Sequence, residues 1–187
     1  MKLPKPVPEG DKSLEEVLSE RRSIRTFSGD ITDEEISQLL WAAQGITSED
    51  GLRATPSAGA LYPLEIYVLT ILGVFRYIPE KHELETIKEL DARRDVAKAA
   101  LKQMFISQAP LVIVITAVFE RTMWKYGQRG IRYVYIEVGH AAQNILLQCV
   151  SLGLKAVPVG AYKDEEVRKA IGAPPEHRPL YIIPIGR

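Results

Sequence analysis

Apolar residues recur along this chain in two periods, and the switch from one to the other marks each element. Ser13-Leu-Glu-Glu16 has the form of a capping box and opens a helix with Leu14, Val17 and Leu18 on one face. Thr32-Asp-Glu-Glu35 repeats the device, followed by an apolar stripe of Ile36, Leu39, Leu40 and Ala43, with Gly45 as the stop. Leu64–Thr70 alternates as a strand does. Val74–Ile78 and Glu83–Ile87 read as two strands around a turn at Pro79-Glu80-Lys81-His82. A helical pattern covers Asp91–Gln108, a buried strand Leu111–Phe119, and a polar, aromatic loop Glu120–Gly130. Next comes a long, nearly all-round apolar helix from Ile131 to about Leu152, stopped by Gly153. Leu154–Val159 is expected as a strand, Asp164–Ile171 as a helix ended by Gly172, and Leu180–Ile185 as the last strand.

The hairpin interrupts any regular βαβ alternation, so the pattern predicts an α+β fold, with a mostly antiparallel sheet flanked by helices. A helix apolar on most of its faces must be covered on most of them, which predicts a homodimer with this helix buried in the interface. The 187 residues suffice for one core. The expected division is a flexible, Pro-rich N-terminus over residues 1–12 and a single domain over 13–187.

Charge changes the picture by exclusion. Lys plus Arg and Asp plus Glu are 24 each, so no positive field favours nucleic acid or an anionic membrane. The N-terminus lacks the apolar stretch of a signal peptide, and the longest apolar run, Pro110–Phe119, is too short to cross a bilayer. With Cys149 as the single cysteine, these features point to a cytoplasmic protein without disulfides. None of His82, His140 and His177 is spaced as a metal ligand, and no metal is expected. His82 is expected solvated in its turn, and His140 in the core or an interface. There is no P-loop, no G-x-G-x-x-G and no G-x-S-x-G.

Three segments carry candidate chemistry. Arg21-Arg22-Ser23-Ile24-Arg25 concentrates guanidinium groups that suit a phosphate, with Arg21 on the stripe of Leu14, Val17 and Leu18. The alternative is pairing with Glu15, Glu16 and Glu20 on a solvated helix end. Pro56-Ser57-Ala58-Gly59-Ala60-Leu61 is lined by small residues that let backbone approach a flat ring, or is a plain connection. Lys125-Tyr126 can donate and accept protons once burial shifts their pKa values, or can belong to a basic surface loop whose aromatics, Trp124 among them, pack over something.

These segments, with Gly139-His140-Ala-Ala-Gln143-Asn144, Val157-Pro-Val-Gly160-Ala161 and Ile185-Gly186-Arg187, resemble the FMN-dependent nitroreductase superfamily, and most closely its SagB-type dehydrogenase branch. The resemblance spans nearly all of the chain after Ser13. It implies a homodimer with FMN at the subunit interface and a small-molecule substrate. Arg21, Arg22, Ser23, Arg25 and Arg187 would hold the phosphate and ribityl end. The loop of Pro56, Ser57, Ala58, Gly59 and Leu61 would reach from the partner subunit to pack on the ring. Gly160 and Ala161 would offer backbone N–H groups at its N5–O4 edge. Lys125 and Tyr126 match the Lys-Tyr pair that acts in catalysis where the branch oxidises peptide azolines. The implied activity is hydride or electron transfer from NAD(P)H or an organic substrate to a small acceptor. Departures at Ala60 and Gly160, where many nitroreductases carry Asn and Glu, argue against ordinary nitroaromatic reduction. A SagB-type dehydrogenase acting on azoline-like substrates, a non-catalytic FMN store, and a nucleic-acid module using Arg121–Arg132 are the competing readings.

Overall fold

The computed structural model describes all residues, 1–187. Seven helices, one 3-10 turn and six strands follow in the order α1 (Leu14–Glu20), α2 (Asp33–Gln44), the turn Ala58–Ala60, β1 (Leu64–Thr70), β2 (Gly73–Ile78), β3 (Glu83–Lys88), α3 (Arg93–Ala99), α4 (Phe105–Gln108), β4 (Leu111–Ala117), α5 (Phe119–Tyr126), α6 (Arg129–Ser151), β5 (Lys155–Ala156), α7 (Asp164–Ile171) and β6 (Arg178–Gly186). The strands form one antiparallel sheet in the order β3-β2-β1-β4-β6-β5. This is the α+β architecture expected from the pattern.

Both capping boxes close as the sequence implies. Ser13 Oγ accepts from Glu16 N at 3.2 Å while Glu16 returns a carboxylate oxygen to Ser13 N at 2.7 Å. Thr32 and Glu35 do the same at 3.2 and 2.8 Å. β4 is buried along its whole length, because one cluster of side chains covers each face of the sheet. On one face, α2 and α6 pack Leu39, Leu40, Val134, Ala141 and Ile145 against Ile113, Ile115 and Ile183. On the other, α3 and α7 bring Val96, Val167 and Ile171 onto Val112, Val114 and Ile182.

Several expectations are corrected. The first seven residues lie against the rest of the chain. Met1 and Leu84 exchange backbone hydrogen bonds, Leu3 N donates to His82 O at 3.2 Å, and Val7 is held in both directions by the Gln38 amide at 2.9 Å. His82, expected in solvent, contacts Ser37 Oγ at 2.7 Å and Tyr77 Oη at 2.8 Å, and burial lowers its pKa. The helix expected over 91–108 breaks at Leu101 and Lys102, whose φ angles are positive. The segment 120–130 is mostly helix, α5, ended by Gly127 at φ 54°. The strand expected over 154–159 shrinks to two residues plus a bridge at Val159, since Pro158 has no N–H to donate.

The α1 stripe is not a buried face. Val17 is buried, but Leu14 and Leu18 are 61% and 50% exposed. The long helix α6 is also less covered within one chain than its composition implies: Arg132, Tyr135, Ile136, Gly139, His140 and Gln143 form an exposed strip along it. No helix is long and apolar enough to cross a membrane.

Candidate functional site

The arginine segment leaves the helix before it begins. Arg21 is the C-cap of α1 with extended ψ of 122°, so Arg21–Arg25 is not the helical patch expected from the stripe. It runs instead along β5, where Ser23 bridges Ala156 in parallel and Ile24 N donates to Ala156 O at 3.0 Å. None of Arg21, Arg22 and Arg25 forms an ion pair. Two of the three carboxylates expected as their partners are engaged elsewhere, Glu16 in its capping box and Glu20 on Lys12 at 2.5 Å, and Glu15 pairs with none of the arginines. Arg22 turns back onto the carbonyls of Ser19 and Arg21, and Arg25 lies 5.9 Å from the Phe105 ring centroid. A cleft of about 180 Å³ opens between Arg21, Arg22, Ile24, Leu146, Lys155 and Ala156. Arg21 and Arg22 line it with Lys12, Lys155 and a single carboxylate, Glu20, which Lys12 already holds, so cationic groups outnumber acids and favour an anion there.

Arg187 reaches the same edge of the sheet by its backbone, pairing with Ser28 through N–H and C=O at 2.9 and 2.7 Å. Its guanidinium, however, is bound to Glu35 and to the Asp30 carbonyl. Gly160 and Ala161 follow Val159, which is pinned to Ile182 by two hydrogen bonds of 2.8 and 3.0 Å. Both are exposed and neither donates its N–H within the chain, while Gln103 fixes the Ala161 carbonyl at 3.0 Å. Gly160 stands four positions after Ala156, at most about 13 Å of extended backbone. The arginine segment, which pairs with Ala156, and the two free amides therefore share one edge.

The small-residue loop forms a second patch with Lys125 and Tyr126. Gly59 has φ +65°, and a Cβ there would lie 2.8 Å from Tyr126 Oη and 3.1 Å from Lys125 Nζ. The two polar heads thus close over a surface only glycine leaves open. Tyr126 is braced edge-on by Tyr133, with ring centroids 5.1 Å apart. Trp124, by contrast, is 82% exposed and packs on nothing within the chain. Pro56 and Ala60 are exposed, and Ser57, Ala58 and Leu61 half-buried. Along α6 this patch sits beside Glu137, whereas the arginine cleft sits beside Leu146 and Cys149. Nine to twelve helical residues put the patches about 15 Å apart. One chain does not bring them together.

The sequence reading missed what holds the loop. Glu137 is 2% exposed, accepts from Ser57 Oγ at 2.6 Å, and leaves its Oε1 without a partner. Burial pushes its pKa up to about 7, with the Ser57 hydrogen bond and the charge of Arg53 pulling the other way. Asn144, seven residues on and on the same helix face, donates to Ala42 O at 3.0 Å and Thr55 Oγ1 at 3.3 Å. The available signal was a lone acid on the face of Val134, Val138, Ala141 and Ile145. Cys149 is buried and its thiol pKa is raised by desolvation, as befits an inert core residue.

The Nitroreductase family model matches residues 18–187. A provisionally named nitroreductase of Methanocaldococcus jannaschii is 48% identical over 181 residues, 93% of this chain and 90% of the relative. The microcin B17-processing protein McbC of Escherichia coli is 26% identical over 132 residues, which is 64% of this chain and 48% of McbC. Among solved structures, a similarly named protein of Ralstonia eutropha JMP134 superposes with a TM-score of 0.90 at 29% identity, covering 100% of this chain and 88% of the other.

Proposed function

The chain belongs to the nitroreductase family, and from that premise we propose that it is an FMN-dependent oxidoreductase working as a homodimer. The observation that carries this reading is the set of three unpaired guanidiniums, Arg21, Arg22 and Arg25, on the edge that also presents the free N–H groups of Gly160 and Ala161. An anionic tail and an electron-rich ring edge are the two features of FMN such an edge would take. The residues fit the group: predominantly cationic at one end, where the one carboxylate, Glu20, is held by Lys12, and amide-lined at the other.

Arg21, Arg22, Ser23 and Arg25 would hold the phosphate end. Arg187 would join them only by leaving Glu35. The cleft is smaller than the roughly 300–1,000 Å³ that encloses a drug-sized ligand, so one chain supplies part of the wall. The loop Pro56–Leu61 of a second subunit would supply the rest. The exposed strip of α6, with Tyr135 and Ile136, is the surface for that pairing.

FMN when bound supplies reversible hydride and electron transfer. The chain's own residues orient it, exclude water through the apolar rims of the loop, and present Lys125 Nζ and Tyr126 Oη above Gly59, where a proton can be held next to substrate. NAD(P)H or an organic substrate is the donor and a small molecule the acceptor.

A second reading is a SagB-type dehydrogenase oxidising azoline-like rings. It is favoured by the convergence of Lys125 and Tyr126 over Gly59 and by the likeness to McbC. The visible spectrum of the purified protein tests the cofactor, and anaerobic mixing with NADH, NADPH and azoline peptides tests the donor. A yellow protein bleached by one of these supports an enzyme. A protein that binds FMN but stays oxidised with all of them is a flavin store.

A further inference from the structure

Glu137 is the only acidic residue in α6, and it faces inward. It belongs to a closed circuit of contacts. Its Oε2 receives the Ser57 hydroxyl at 2.6 Å, and Ser57 Oγ itself receives Tyr62 N–H at 2.9 Å. Two residues on, Gly59 lies under Tyr126 Oη and Lys125 Nζ. Tyr126 meets Tyr133 edge-on, one helical turn before Glu137.

A carboxyl is an expensive way to anchor a loop. Its second oxygen, Oε1, is buried without a partner, and desolvation of an unpaired acceptor costs more than the one bond returns. An amide would anchor Ser57 without a charge. The charged group that acts on Glu137 is Arg53, from the segment after α2, but its guanidinium is committed to Gln44 at 3.0 Å and Glu80 at 2.8 Å. From α5, Lys125 and Tyr126 stand on the far side of Gly59, and Tyr133 is the neighbour on α6 itself.

We propose that Glu137 is a positioning residue of this site, whose carboxyl, by holding or releasing one proton, sets whether the Ser57 hydroxyl points into the protein or out to the crevice. When Glu137 is ionised, Ser57 must donate its only proton to it while one Oγ lone pair takes Tyr62 N–H, so no donor is offered outward. When Glu137 is protonated, it donates to Ser57 Oγ. The serine proton then turns outward, where Ser57 is partly exposed, to meet an acceptor on the bound ring. The proton sits near its balance point at neutral pH, since burial has raised the carboxyl into that range. The inference rests on the flavin reading given above.

Two measurements test it on the full-length protein. In the first, without added flavin, infrared difference spectra of wild type against Glu137→Gln follow the protonated-carboxyl band across pH. A band that titrates near neutrality supports the proposal; a carboxyl ionised throughout overturns it. In the second, FMN affinity is measured by fluorescence quenching below about pH 6 and above about pH 8. Wild type is expected to weaken roughly three- to tenfold across that range, the worth of one hydrogen bond. Glu137→Gln and Ser57→Ala are expected to lose that step. Should Glu137→Gln fold poorly, Ser57→Ala carries the same test. Binding of FMN with the wild-type pH step intact in both variants overturns this proposal alone. No FMN binding by wild type at any pH overturns the flavin reading as well.

Discussion

The side-chain amide of Asn144 reaches Thr55 Oγ1 at 3.3 Å, and Thr55, fully buried, passes its own proton to Ala43 O at 2.7 Å. Helix α6 thereby grips the small-residue loop just before it turns to the surface, one and a half to two turns from its second grip at Glu137 and Ser57. The position of the loop is set by pairs, Asn144 and Glu137 of α6 with Thr55 and Ser57 of the loop. Asn144→Ala should therefore cost about 1–3 kcal/mol, because it leaves buried carbonyl and hydroxyl groups short of a donor. Urea unfolding monitored by circular dichroism checks it. A loss well under that range would mean the loop is held by other contacts.

Lys125→Ala is expected to leave FMN binding unchanged and to slow turnover, since Nζ lies over Gly59 and touches neither the arginines nor Gly160. Gly59→Ala is expected to slow turnover and to weaken FMN binding as well, because Gly59 lies in the loop proposed to pack on the ring. Its Cβ would displace Tyr126 Oη from 2.8 Å, and its φ of +65° adds about 1 kcal/mol of strain. Steady-state kinetics beside flavin titrations read both. Unchanged turnover in Lys125→Ala removes the pair from the mechanism.

Glu137 gives a signed pH prediction. Its folded pKa is raised from 4.5 to about 7, so between those values the folded state binds more protons than the unfolded. Stability from this group must fall as pH rises through that window and level off above it, by at most about 3 kcal/mol. Glu137→Gln should flatten this component. Denaturant unfolding near pH 5 and pH 8 compares the two proteins; parallel pH profiles would contradict a raised carboxyl.

His82 works in the opposite direction. Burial lowers its pKa below the ordinary 6.5, so its neutral form is the folded one and its contribution fades as pH falls below about 6.5. The strand-like pairing of Leu3 with His82, and of Met1 with Leu84, should loosen there first. Amide hydrogen exchange at Leu3 and Leu84 that quickens in mild acid is the expected result, and His82→Gln should weaken the pH response.

Much of the fold was legible because local signals agreed with tertiary demand. Both capping boxes, the 79–82 turn, α7 with its Gly172 stop and the fully buried β4 all stand where the pattern put them. The misses have physical causes. Leu101 and Lys102 break a helical pattern with a left-handed turn that no glycine announces. Residues 120–126 look like a loop because exposed charges and aromatics dominate them, yet α5 is amphipathic, with Phe119 and Thr122 inward. Arg21 seemed to sit on the α1 stripe because periodicity does not reveal where a helix stops. The anchors Asn144, Thr55 and Glu137 lie far apart in sequence from what they hold, and only packing brings them there.

The arginines decide the account. Calorimetric titration of the purified protein with FMN and with riboflavin isolates the phosphate. Wild type should prefer FMN strongly, and Arg21→Ala and Arg25→Ala should each lose roughly ten- to a hundredfold for FMN, the worth of a charge-assisted hydrogen bond, with little change for riboflavin. Equal affinity for the two flavins in wild type, or none for either, would contradict the assignment of Arg21, Arg22 and Arg25 as the phosphate grip.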